Sequence, residues 1–196
     1  MMSSNPFFRF ILGCIGCFWL FNNSYAKPSH VEKPKQEAAY VDTFPTPKNI
    51  SNLLFYIQRD PNTNTICYTL NLDEGGKLDV SSPIYAFWIR YPEGGVKKEL
   101  NFIQRKFAYG INTKRQADGS YDVRSVAYNK LPLKLKRDAK GTFRIFASIN
   151  QRESILERIF IRIGNGGTFW NPDVQYIELK GIEVETGKRT LMRFKP

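Results

Sequence analysis

The sequence predicts a mainly β fold, a single β-sandwich or partly open barrel with one covering α-helix near residues 97–109. Short runs of alternating apolar and polar residues recur along the chain, and clusters of Gly, Asn and Asp separate them. Only one stretch of the expected domain switches to a three-and-four spacing, which is why a single helix is predicted.

The first strand opens where Leu53, Phe55 and Ile57 alternate with Leu54, Tyr56 and Gln58. Asp60-Pro61-Asn62-Thr63-Asn64 then turns the chain into a second β-rich run over residues 65–71, so the two form a hairpin. Cys67 lies inside that run and reads as a small core residue rather than a nucleophile. After a turn from Asp73 to Gly76, residues 84–91 are apolar almost throughout, the pattern of a strand buried on both faces. In the helix candidate, Leu100, Ile103 and Phe107 share one face, Asn101, Gln104 and Arg105 another, and Gly110 terminates it. Alternation returns over residues 121–128, 133–137, 142–149, 155–163, 174–184 and 189–194. Turns at Asp118-Gly119, Asp138 to Gly141, Gly164 to Gly167 and Thr186-Gly187 separate these runs.

Ahead of the domain, Arg9 precedes an apolar run over residues 10–21, and Ser24-Tyr25-Ala26 places small residues where signal peptidase needs them. The run is shorter than the roughly 20 residues that span a bilayer. A signal peptide at residues 1–26, cleaved after Ala26, is therefore expected, with export to the periplasm or medium. Ile11-Leu12-Gly13-Cys14 superficially resembles a lipoprotein box, but most of the apolar run follows Cys14, so lipid anchoring at Cys14 or Cys17 is the weaker alternative. Residues 27–49, rich in Lys and Pro, read as a solvated tether, and residues 50–196 as the domain. Without the signal peptide Cys67 is the only cysteine, so no intramolecular disulfide can form.

Composition excludes more than it assigns. The chain carries a net charge of +11, and loss of Arg9 with the signal peptide leaves 28 basic against 18 acidic residues. His30, the only histidine, falls in the tether, so neither a histidine-based nucleophilic site nor a His/Cys zinc site can be assembled within the domain. No catalytic, cofactor or metal motif is present, and Asp73, Glu74 and Asp79 lack the spacing of a calcium loop. Gly164-Asn165-Gly166-Gly167 lacks the Lys and Ser/Thr of a phosphate loop and reads as a strand connection, with Phe169 and Trp170 as a rim for an apolar ligand.

The basic residues show the most pattern. Arg158, Phe160 and Arg162 alternate with Ile159, Ile161 and Ile163, while Arg144 and Phe146 alternate with Phe143, Ile145 and Ala147. If those strands pair, Arg144, Arg158 and Arg162 form a cationic face interleaved with Phe146 and Phe160, which Lys134 and Lys136 extend. These residues and Trp170 form the candidate ligand-binding set. Arginine forks suit carboxylates and phosphates, and rings give sugars a flat surface, so the expected partner is an anionic polysaccharide or membrane surface. Nucleic acid is disfavoured because no recognition motif is present. A non-enzymatic binding or structural module is thus favoured. The alternative is a histidine-free carbohydrate hydrolase using carboxylates from Glu153, Glu157, Glu178, Glu183 and Glu185. Glu178 and Glu183 lie an odd number of positions apart, which a regular strand would turn to opposite faces.

Three stretches carry a family resemblance: Phe55-Tyr-Ile-Gln-Arg59, Phe87-Trp-Ile-Arg-Tyr-Pro-Glu-Gly-Gly95 and Leu100-Asn-Phe-Ile-Gln-Arg-Lys-Phe-Ala-Tyr-Gly110. Together they resemble domain of unknown function 4833, found largely in exported bacterial proteins, over about residues 50–195. The resemblance implies export and a compact domain, and brings no catalytic or binding residues with it.

Overall fold

The computed structural model describes residues 44–168 and 172–196. The expected signal peptide with Cys14 and Cys17, the tether as far as residue 43, and Trp170 lie outside the described residues. The described chain is mainly β, a curled open sheet in the form of a half-barrel with one short helix.

Its strands are β1 (Leu53–Asp60), β2 (Asn62–Leu70), β3 (Ile84–Arg90), β4 (Val96–Glu99), β5 (Ile111–Arg115), β6 (Tyr121–Ser125), β7 (Leu133–Arg137), β8 (Phe143–Ile149), β9 (Arg152–Gly167), β10 (Pro172–Glu183) and β11 (Arg189–Phe194). The helix α1 (Phe102–Gln104) runs on into a wider π-type turn at Arg105–Tyr109. The sheet order is β4-β3-β2-β1-β9-β8-β7-β6-β5, with β10 on β9 and β11 outside β10.

The centre of the sheet is β9. One edge pairs with β10 through most of its length, while the other is shared: residues 152–155 run antiparallel to β8, and residues 158–162 run parallel to β1. A bulge accompanies the change of partner. Lys180 stands opposite Arg158, but Gly181 stands opposite Leu156, so Glu157 is an extra residue in β9. Leu156 and Ile159 consequently both enter the core, three positions apart, which the two-residue period of an unbroken strand forbids. Gly181 is required there because a Cβ would lie 2.3 Å from the Ile155 carbonyl oxygen.

The core gathers the inward faces of the curled sheet around Tyr68, Leu135, Ile145, Ile149, Leu156 and Leu179, all fully buried. Each such aliphatic side chain contributes about 1.5–3 kcal/mol relative to exposure. Phe55 stacks on Tyr68 with centroids 4.4 Å apart, and the Tyr68 hydroxyl donates to the Tyr109 carbonyl at 3.0 Å.

Several local expectations change. Residues 96–99 form β4 instead of opening the helix, because Gly94 and Gly95, both at positive φ, fold them back onto β3. The helix starts at the Asn101 cap, where the Asn101 side chain accepts from the Gln104 N–H and the Gln104 side chain accepts from the Asn101 N–H, each at 2.9 Å. It is β2, between β1 and β3, whose residues 65–69 are all buried, whereas in β3 only Phe87 is buried since its outer neighbour is the exposed β4. Phe44 and Pro47, placed by composition in the tether, are buried.

Candidate functional site

The β7–β8 hairpin presents the first part of the site. Its register sets Lys136 opposite Arg144 and Lys134 opposite Phe146, so these four side chains share one face while Leu133, Leu135 and Ile145 fill the other. Asp138 shapes the connecting turn by accepting from the Lys140 and Thr142 N–H groups, both at 2.9 Å, and lies 3.6 Å from Arg144 Nε. The Thr142 amide, then Lys140 and Arg144, hold the Asp138 carboxyl below its ordinary range.

That face forms one wall of an open groove of about 950 Å³. The groove also takes in Glu153, Ile155 and Glu157 from β9, Lys180 and Ile182 from β10, and Glu183 and Arg189 beside the β10–β11 turn. Lys136, Arg137, Lys140, Arg144, Lys180 and Arg189 face four acids, Asp138, Glu153, Glu157 and Glu183. Lys136 Nζ lies 2.6 Å from Glu153 and 4.4 Å above the Phe146 ring. Among the described residues no carboxylate lies within ion-pair distance of Lys140, Lys180 or Arg189. Glu183 is engaged by Arg152 and accepts from the Thr186 hydroxyl at 2.9 Å, and those bonds, Arg152 first, lower its pKa. A hollow of about 380 Å³ adjoins the groove across Phe146 and Glu153, and Arg124 and Lys134 line it.

The other residues predicted for the site lie elsewhere. Arg158 is 4% exposed, with Nη1 3.9 Å from Glu178 Oε1 and its guanidinium 4.8 Å from the Phe160 ring centroid. Glu178 also accepts from Arg193 Nε at 2.7 Å, so two arginines flank one buried carboxylate. Phe160 is 2% exposed and meets Phe44 edge-on at 5.3 Å. Beside it the Gln58 amide donates to the Pro45 carbonyl at 2.8 Å. Arg162 pairs with Asp60 at the end of β1.

The expected strand pairing is present, but its register matches β8 to residues 152–155, and β1 is the neighbour of residues 158–162. The single cationic face is thereby divided: Arg144 and Phe146 line the groove, and Arg158 and Phe160 are enclosed. Glu178 and Glu183 are separated in the same way, one enclosed with arginines and the other at the groove. Sequence reasoning missed Lys180 and Arg189, which line the same groove as Arg144. The alternation of β10 and β11 contained them, but only the registers of β10 on β9 and of β11 on β10 bring them to the groove.

Cys67 is completely buried, and that burial pushes its thiol up to about 12, far from a nucleophile's range. Among the described residues no group of three or more His, Cys, Asp or Glu is placed to hold a metal ion, and no helix is long and apolar enough to cross a membrane.

Fold and groove together define a curled β half-barrel bearing a cation-rich groove. The chain belongs to the family described as domain of unknown function (DUF4833), whose model matches residues 55–193. No curated protein and no solved structure matches the chain.

Proposed function

We propose that this protein is a non-enzymatic binding module, acting outside the cytoplasm, that takes an anionic polysaccharide along the groove. The observation that carries this reading is the lining itself, six basic side chains against four acidic ones around a partly apolar floor. Lys140, Lys180 and Arg189 have no carboxylate partner among the described residues, so they can meet ligand carboxylate or sulfate groups without first breaking an ion pair. Export follows from the N-terminal apolar run and its Ser24-Tyr25-Ala26 cleavage signal.

Heparin retention tests the reading. The triple variant Lys140→Glu, Arg144→Glu, Lys180→Glu should elute at much lower salt than the charge-matched control Lys114→Glu, Arg115→Glu, Lys130→Glu. Equal loss in both variants would show that net charge alone governs retention and would remove the groove from the proposal.

A hydrolase is the second reading, since Glu153 and Glu157 line one groove with Asp138 and Glu183. A general acid needs a raised pKa, and Asp138 and Glu183 are both held low by hydrogen bonds and cations. Binding is therefore the better reading. Reducing-end release from an anionic polysaccharide by the protein, lost in Glu157→Gln, would reverse that preference.

A further inference from the structure

The turn between β4 and β5 is built opposite to an ordinary amphipathic helix. Leu100 and Tyr109 at its two ends are buried, while Phe102, Ile103 and Phe107 between them are 72%, 53% and 52% exposed. Ala108 packs against the core, and two polar side chains bond beside it. Gln104 Oε1 accepts from Trp88 Nε1 at 3.2 Å, and Arg105 donates to the Leu100 carbonyl at 2.9 Å and to Glu99 at 2.6 Å. Trp88 meets Tyr109 edge-on at 5.1 Å, and the Tyr68 hydroxyl holds the Tyr109 carbonyl. At the exit, a Cβ on Gly110 would lie 1.9 Å from the Arg105 carbonyl oxygen, so only glycine lets the turn close this tightly. The apolar face is thus held outward by specific bonds at both ends.

Charge surrounds it. Lys106 Nζ sits between two rings, 5.5 Å from the Phe102 centroid and 5.3 Å from that of Phe107. No carboxylate lies within ion-pair distance of it among the described residues. From residue 90 to residue 107 there are five basic residues and two acidic ones.

We infer that this turn is a membrane-docking tip, which inserts Phe102, Ile103 and Phe107 into an anionic lipid surface with Lys106 at headgroup level. Rings flanking an ammonium group match the depth order of an interface, with apolar side chains in the acyl boundary and cations against lipid phosphates. Three protruding side chains are far too few for a stable protein interface, which uses about 20–30 residues on each side. A second copy of the chain would bring the same positive block against itself. The tip is separate from the groove and stands whether or not the groove takes a polysaccharide.

Hydrogen-exchange mass spectrometry of the full chain tests this at the tip itself, apart from any lipid contact made by the N-terminal apolar run. Phosphatidylglycerol vesicles should protect amides in residues 100–109, and phosphatidylcholine vesicles should not. The variant Phe102→Ser, Phe107→Ser should lose that protection while exchange in β2 and β9 stays unchanged, and Phe102→Trp, Phe107→Trp should keep it. Lys106→Glu should raise the lipid concentration needed by about tenfold. Absent protection, equal protection on both lipids, or protection that survives the serine substitutions would overturn the inference. Protection that grows with protein concentration without vesicles would also overturn it, by identifying a second copy as the occupant. Groove variants should leave tip protection intact.

Discussion

The tripeptide Arg-Ile-Phe occurs twice in this chain, at residues 144–146 in β8 and at residues 158–160 in β9, and meets two different fates. Ile145 and Ile159 both enter the core, and Phe146 and Phe160 are both nearly buried on the opposite face. The arginines diverge: the Arg144 side chain is 41% exposed at a groove wall, whereas that of Arg158 is 5% exposed beside Glu178. Local sequence set the alternation in both strands. What lies over each strand decided the rest: Phe44, Glu178 and Arg193 enclose the second tripeptide, and an open groove faces the first. An arginine in a β-strand is therefore left at an open groove or enclosed as a structural ion according to its cover.

Breaking the bulge should have the largest effect, because the bulge is where β9 changes both its partner and its inward face. Gly181→Ala places a Cβ against the Ile155 carbonyl oxygen, in backbone that cannot swing aside. A loss of about 3 kcal/mol is expected, read as a fall in melting temperature of about 10 °C for a domain of this size. Next comes the enclosed arginine. Arg158→Ala leaves Glu178 buried with one partner fewer and should cost about 3 kcal/mol in urea unfolding. Arg144→Ala in the first tripeptide should leave stability unchanged and reduce only heparin retention. Equal stability losses in the two alanine variants would erase the distinction.

Acid and alkali should separate the two regions more gently. Burial raises the folded-state pKa of Cys67 to about 12, and burial likewise raises that of Tyr68. A raised pKa means that the contribution is fully present below the unfolded value and is lost as pH rises through the folded one. The enclosed side of the sheet should therefore weaken between about pH 9 and pH 12, followed by near-ultraviolet circular dichroism. Cys67 should also resist thiol reagents at pH 8 until the protein unfolds. At the groove, Asp138 and Glu183 have lowered pKa values, so their contribution is present above the ordinary carboxylate range and is lost as pH falls below it. Both should stay ionised through mildly acidic pH, seen as carboxylate signals in isotope-edited infrared spectra. Protonation of either at pH 6 would return it to candidacy as a general acid.

Strand alternation, the turns and the mainly β class were legible because each rests on neighbours within a few residues. The Asp138 turn is an example, since its own backbone amides at Lys140 and Thr142 close it. The helix was located, but its periodicity did not say which face meets the core. Ile103 and Phe107 are exposed together while Leu100 is buried, and Gln104 and Arg105 bond to Trp88, Glu99 and the Leu100 carbonyl. The alternation of Lys134 and Lys136 with Leu133 and Leu135 was legible as well, and the β7–β8 hairpin sets Lys136 opposite Arg144 because a tight hairpin fixes register locally.

The sequence by itself determined most of the strands, the charge excess, the position of the single histidine at residue 30 and the family to which the chain belongs. Tertiary structure alone decided which basic residues face the groove, because that depends on a parallel contact between β1 and β9, about a hundred residues apart in the chain. It also decided the outward turn of Phe102 and Phe107. On the other side of the turn, part-buried bonds join Gln104 to Trp88 and Arg105 to the Leu100 carbonyl, and these contacts, not apolar periodicity, fix its rotation. Periodicity reports that two faces exist, and only the partners across space determine which one meets the core.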